Sequence, residues 1–288
     1  MIDNSLKWTG ERMTTEYFSY GSIEHLHRYS IISEFLDKNM IIMDIACGEG
    51  YGTNILSKKV KKAIGVDVSM EAISHAKNKY SSANIEFIHS SAINIPIEDN
   101  CIDVIVSFET IEHIEDHEKL LSEFKRVLRK NGLLIISTPD KQFYSKGNPN
   151  PYHIKELSFA EFEMLLSNYF INKKYVFQKT FHGSIIFNTE TPSNLEYYEG
   201  NFDRINHGPA IIEPEFIIAF VSDSPNHNII FINSVFNAWP IYEKETQENL
   251  VIRTNYYNLI SSRKFKIINK ILKILNIGFI IITFFFLI

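Results

Sequence analysis

Apolar residues in the first half of the chain form short unbroken runs, and between these runs they recur at helical spacing. Residues 40–45, 62–68, 84–89, 102–108 and 133–137 are rich in β-branched and aliphatic side chains on both faces, as in strands covered on each side. Residues 52–60, 69–80 and 116–130 lie between them and read as helices. Ser69 is a helix N-cap with Glu71 in the first turn, and Asn131-Gly132 ends the third helix. This alternation predicts an α/β fold with a doubly wound, mostly parallel sheet.

After Pro139 the pattern loosens. Residues 158–168 open with a serine cap and have helical spacing, and residues 170–178 read as a sixth strand. Residues 215–222 and 228–232 suggest a hairpin across Asp223-Ser224-Pro225-Asn226. Residues 180–214, with Gly, Pro, Asn and His, read as an irregular lid or insertion. The expected organisation is an N-terminal helical cap (1–38, helical chiefly over 23–36), a central domain (39–235) with an insertion at 179–214, and a C-terminal extension (236–288).

Composition narrows the function. Hydrophobic residues make up 45% and charged residues 22% of 288, an ordinary globular balance. A net charge of −5 argues against a nucleic-acid partner. Two cysteines, Cys47 and Cys101, give neither a disulfide framework nor zinc spacing, so a reducing cytoplasm is expected. The first residues lack a signal-peptide pattern.

The chemistry is concentrated in Met43-Asp44-Ile45-Ala46-Cys47-Gly48-Glu49-Gly50-Tyr51-Gly52, directly after the first strand. Glycines there let the backbone pass close beneath a ligand. A dinucleotide loop would place its third glycine at position 53, which is Thr53, and Asp44 would repel a pyrophosphate. A cationic amino-acid cofactor suits Asp44 better. Asp67 ends the second strand, 23 positions on, where an acid can accept both ribose hydroxyls. Ser91-Ala92 follow the third strand, and Phe108–His113 follow the fourth at the switch point where such sheets bind ligands.

This series, together with residues 131–139, resembles class I S-adenosylmethionine-dependent methyltransferases over residues 39–178. The resemblance implies a seven-stranded Rossmann-like sheet, with S-adenosylmethionine as cofactor. Its contacts would come from Asp44, Ala46, Gly48, Gly50, Asp67, Val68, Ser91, Ala92, Phe108 and Glu109. Family members commonly carry an acid after strand three to reach adenine; Ser91 stands there. Thr9-Gly10-Glu11-Arg12, Glu24-His25-Leu26-His27-Arg28-Tyr29 and residues 150–157 further resemble methyltransferases of bacterial surface-polysaccharide biosynthesis. That likeness implies a small-molecule acceptor carrying a sugar.

His113 is the candidate general base, with Arg28, Tyr51, Glu112 and His153 as acceptor contacts. Glu112-His113 read equally as a local helix-start pair. Arg28 has three candidate partners: the cofactor carboxylate, an acceptor phosphate, or Glu24. His25 and His27 point about 200° apart on a helix, which speaks against a two-histidine metal site. The acidic positions around His113 and His117 match no ligand spacing, so no metal is expected, and they read as a solvated helix start. The alternatives are a quinone- or lipid-precursor methyltransferase and a non-catalytic cofactor-binding protein at a membrane.

The tail differs from the rest. Residues 261–288 hold five basic residues and no acid, leaving −10 on the preceding part. A basic amphipathic stretch (263–275) precedes an apolar run (277–288), which predicts contact with an anionic membrane surface.

Overall fold

The computed structural model describes residues 6, 9, 12–15, 20–144, 150–180, 184–188, 196–200, 205–209, 214–225, 234–236, 251 and 254. Two compact units divide the chain, Met1–Phe236 and Asn237–Ile288. The tail residues 261–288 lie outside the described residues, as does segment 228–232. Among the described residues no helix is long and apolar enough to cross a membrane.

The five runs read from the sequence are strands β1 (Ile41–Ile45), β2 (Lys62–Asp67), β3 (Ile85–His89), β4 (Ile102–Ser107) and β5 (Leu128–Pro139). They lie in the order β3-β2-β1-β4-β5, all parallel. β6 (Asn172–Thr180), β7 (Ser184–Asn188), β10 (Phe216–Ser222) and β11 (Ser234–Phe236) continue the sheet beyond β5 in the order β10-β6-β7-β11, every pair antiparallel. The sheet therefore has nine strands rather than seven, with parallel and antiparallel pairings in equal number. The difference comes from the presumed lid, whose residues 184–188 fold back on β6. β8 (Glu196–Gly200) and β9 (Ile205–Pro209) pair separately. β10, the first arm of the expected hairpin, pairs with β5 on one edge and β6 on the other, and the second arm, 228–232, lies outside the described residues.

Side chains alternate between two apolar layers, as strand geometry requires. Ile42, Val104, Val106, Ile135, Ile218 and Phe220 face α1 (Tyr20–Ser33) and α2 (Tyr51–Ser57). Met43, Ile45, Ile105, Leu134, Ile136 and Ile217 face α4 (His117–Val127) and α5 (Phe159–Ser167). α3 (Met70–Lys79) packs Ile73 and Ala76 on Phe87. On α4, Leu120, Leu121, Phe124 and Val127 are buried at i, i+1, i+4 and i+7, and removing Phe124 alone would cost about 3–5 kcal/mol.

Local signals set the helix starts. Ser69 caps α3 through Ala72 N–H, Asp116 caps α4 through Lys119 N–H, and Ser158 with Glu161 forms a capping box on α5. The end of α4 differs from expectation. It stops at Val127, and Asn131-Gly132 lie inside β5, where the register against β4 jumps between Ile102–Leu128 and Val104–Leu133. A Cβ on Gly132 would stand 2.7 Å from Leu128 Cδ2 and 2.9 Å from Arg129 O, so packing selects this glycine.

Candidate functional site

β1 and β4 are neighbours in the sheet but run on into opposite layers, so the chain parts at their carboxyl ends. Both strands leave through a left-handed non-glycine residue, Ala46 (φ 55°) after β1 and Glu109 (φ 44°) after β4. Such a conformation costs about 1–3 kcal/mol and is retained only where its surroundings enforce it. Gly50, at φ 92°, starts α2, and a Cβ there would meet Phe87 at 2.8 Å and Ala76 at 2.9 Å. Gly52 has a different reason: Tyr29 fills the space its Cβ would take, with Cζ 2.1 Å away.

Asp67 is the best-prepared acceptor of the site. Gly48 N–H donates to its Oδ2 at 2.8 Å and Ser69 N–H to its Oδ1 at 2.8 Å. These amides fix the carboxylate while leaving it partly exposed. Beside it Val68 and Met70 are 73% and 57% exposed, an uncovered apolar strip. Ser91 and Ala92, half-buried, follow β3 on the adjoining edge, with Ser91 Oγ near Ile93 N–H. Arg12, within the Thr9–Arg12 motif, lies against the same loop, donating from Nη2 to Ser69 Oγ at 2.9 Å. Glu49, buried inside the loop, accepts from Thr15 N–H and Lys79 Nζ, tying the N-terminal segment to α3.

Asp44 turns inward. It is buried, accepting from Tyr29 Oη at 3.1 Å and Thr53 Oγ1 at 2.7 Å, and desolvation pushes its pKa up to about 6. It joins α1, β1 and α2, and acts on anything above the loop through its field. Tyr51 donates to or accepts from His25 Nδ1 at 2.9 Å and stacks edge-on to Tyr29. Burial, then Arg28, pushes His25 down to about 3 and His27 to about 4. His27 bridges Ser184 and Ser234, each at 3.0 Å, so its role is to dock α1 on the added strands.

Arg28 is fully buried. Its Nε donates to Gln178 Oε1 at 2.6 Å, and its Nη1 to Glu109 Oε1 at 2.8 Å and Ser137 Oγ at 3.1 Å. The guanidinium lies 4.5 Å from the Phe216 ring centre and 5.6 Å from that of Phe108. The ion pair is with Glu109, not with Glu24 four residues before it. Nη2 is buried with no hydrogen-bond partner. Desolvation, opposed by Arg28 and reinforced by Glu109, holds Glu24 up at about 7. Nothing in the sequence pointed to Gln178 or Ser137, which join Arg28 across 150 and 109 positions.

Glu112, expected as an acceptor contact and read equally as part of a local helix-start pair, is wholly buried, one turn before α4. Its backbone carbonyl accepts from Ile154 and Lys155 N–H, at 2.8 and 3.0 Å, which brings residues 150–155 against it. Thr138 Oγ1 donates to Oε2 at 3.3 Å, while Oε1 has no partner. Desolvation and the charge of Glu109 raise its pKa well above the usual carboxylate range. The same turn sets His153 edge-on to His113, with ring centres 5.0 Å apart. One candidate ligand atom from each of Glu112, His113 and His153 lies within 4.8 Å of the others. The 40-position gap between the histidines hid this grouping from the sequence.

Known proteins share this architecture. Residues 43–136, which are 94 of the 288, match the methyltransferase-domain family. A protein of Mycolicibacterium smegmatis described as a probable S-adenosylmethionine-dependent methyltransferase is 34% identical over 128 residues, 43% of this chain and 49% of its own length. A ubiquinone/menaquinone biosynthesis C-methyltransferase of Campylobacter jejuni is 34% identical over 113 residues, 37% and 47% of the two chains. The chain thus spans about half the length of the curated relatives it matches. Among solved structures, YcgJ of Bacillus subtilis superposes with a TM-score of 0.52 at 17% identity, covering 69% of this chain and all of that one. An S-adenosylmethionine-dependent methyltransferase of Thermotoga maritima gives 0.51 at 21% identity, covering 71% and 91%. The fold is the Rossmann-like α/β fold of class I methyltransferases.

Proposed function

We propose that this chain transfers a methyl group from S-adenosylmethionine to a small-molecule acceptor. The observation that carries the reading is Asp67, a carboxylate fixed by two backbone amides beside a glycine loop and an uncovered apolar strip. The residues present fit the cofactor. Asp67 would hold its ribose hydroxyls, Val68 its adenine face, and Ser91 and Ala92 the adenine edge. Ala46, Gly48 and Gly50 would underlie its methionine part. The unpartnered Nη2 of Arg28, beside Phe108 and Glu109, suits its carboxylate.

When bound, S-adenosylmethionine supplies an electrophilic methyl on a leaving group that is already cationic. The chain then has to align the acceptor and exclude water, a contribution of several kcal/mol in oriented reactions. Tyr51, Glu112 and His153 would line the acceptor side. His113 donates from Nδ1 to Tyr152 O at 2.9 Å, an arrangement in which the neutral tautomer carries its lone pair on Nε2. That lone pair is the activating group, able to take a proton or a Lewis acid.

A sugar-linked acceptor of surface-polysaccharide biosynthesis is the favoured substrate class. Support comes from the polar edge formed by Glu112, His113, Asn150, His153 and Glu156, and from the three motifs around Arg12, Arg28 and His153. The likeness to a quinone C-methyltransferase supports a second reading, a quinone precursor. The basic, then apolar, pattern of 261–288 supports attachment to a membrane surface. Fractionation of cells carrying the full chain, or one ending at Ser261, tests that attachment.

Calorimetry tests the central reading. Wild-type protein should bind S-adenosylmethionine, and Asp67→Ala should weaken binding by about 1.5–3 kcal/mol. Labelled methyl transfer to nucleotide sugars, with none to quinone precursors, would identify the acceptor class. Wild-type protein that fails to bind the cofactor would overturn the proposal.

A further inference from the structure

Methyl transfer by alignment alone does not account for a wholly buried carboxylate with one unsatisfied oxygen beside two histidines. Glu112 Oε1 has no partner, although a buried carboxylate oxygen left so costs more than an ordinary lost hydrogen bond. Arg28, the buried guanidinium of this region, is paired with Glu109. The two imidazoles are oriented from behind. His113 Nδ1 donates to the Tyr152 carbonyl at 2.9 Å, and His153 Nδ1 donates to Glu156 Oε1 at 2.6 Å. With Nδ1 facing an acceptor in each ring, Nε2 is the nitrogen left to bind a cation. A carboxylate or carbonyl behind the ring is the usual support of a metal-bound histidine. Asn150 Nδ2 stands 3.1 Å from His153 Nε2 and donates to it; a cation would displace that hydrogen bond.

The geometry points to a divalent transition-cation site formed by Glu112 Oε1, His113 Nε2 and His153 Nε2. Two imidazole nitrogens with one carboxylate select zinc, manganese, cobalt or ferrous ions over magnesium or calcium, which prefer all-oxygen shells. Three protein ligands leave coordination positions open. The ligands leave the carboxyl ends of β4 and β5, where a sheet of this kind binds its substrates. On the proposed methyl-transfer reading, those open positions take oxygen atoms of the acceptor and orient them. With a cation bound, His113 holds the cation instead of a proton. The site itself rests on the three side chains and not on that reading. The ligands come from two segments joined by the Glu112 carbonyl contacts with Ile154 and Lys155 and by the His113 Nδ1 bond to the Tyr152 carbonyl.

Full-length protein freed of metal with EDTA and dialysed would be titrated with Mn(II), following the loss of the free-ion electron paramagnetic resonance signal. One equivalent should bind per chain, and Zn(II) should compete. His113→Ala and His153→Ala should each weaken binding more than tenfold, and Glu156→Gln, which removes only support for His153, by about 10–100-fold. Circular dichroism would verify that each variant is folded, and the half-buried positions of His153 and Glu156 keep the test open if His113→Ala is not. Calorimetry with S-adenosylmethionine in EDTA separates the two proposals. Cofactor binding without Mn(II) or Zn(II) uptake, or variants that bind Mn(II) like wild type, would overturn the cation site alone. Cation binding without cofactor binding would uphold it and remove the methyl-transfer reading.

Discussion

The two sides of the switch point are built by different means. On the side of β1, β2 and β3, Asp67 is held by amides 19 and 2 positions away, within one strand–helix–strand unit and the turn after it. On the side of β4, β5, β6 and β10, Arg28 is held by Glu109, Ser137 and Gln178, at separations of 81 to 150 positions. The first arrangement uses backbone donors that any sequence with the right turn can supply. The second uses side chains alone, buried except for the half-buried Glu109, and each dependent on the others. A local site of the first kind should fail locally when altered, while the second should fail as a unit.

The largest effect is expected at Arg28. Arg28→Met would leave Glu109 and Gln178 without their buried donor and cost about 3–5 kcal/mol of folding stability, measurable by denaturant unfolding. A cost under about 1 kcal/mol would show that the two sides do not differ in this way. Gly50→Ala should cost less, about 1–3 kcal/mol, through its left-handed φ and its contacts with Phe87 and Ala76. It should also lower affinity for S-adenosylmethionine. Ser158→Ala, which breaks the capping box of α5, should cost about 1 kcal/mol and leave cofactor affinity unchanged in calorimetry.

The smallest effect is a pH dependence at Glu24. Its folded pKa of about 7 lies above the ordinary glutamate value of 4.5, so the folded state binds the proton more tightly. The stability this contributes is complete below pH 4.5 and is lost as pH rises to about 7. Glu24→Gln should therefore raise the melting temperature relative to wild type at pH 8, with the gain vanishing near pH 4.5. Comparison at matched pH cancels the opposite trend of His25 and His27, whose depressed values cost stability as pH falls below 6.5. An equal difference at both pH values would remove Glu24 from the network.

The same contrast explains what was legible in the sequence. β1 to β4 were placed to within a residue of their ends, because apolar runs and turn residues are local signals. The helix caps Ser69 and Ser158 were legible for the same reason. β7 was missed because Ser184–Asn188 is a short apolar run between turn-forming residues, and only pairing with β6 makes it a strand. The burial of Glu112 was not legible because residues 150–155, some 40 positions on, close against it. Asp44 was recognised as special, but its partner Tyr29 sits on a helix preceding the sheet.

The docking of α1 also sets an order of events on the ribosome. His27 emerges early, yet its partners Ser184 and Ser234 follow 157 and 207 positions later. At roughly 5–20 residues per second, synthesis of that interval takes about 10–40 s. During that time β1 to β4, with the loop and Asp67, are complete, while Arg28 still lacks Gln178. The nascent chain can thus acquire its glycine loop before its buried arginine has a floor.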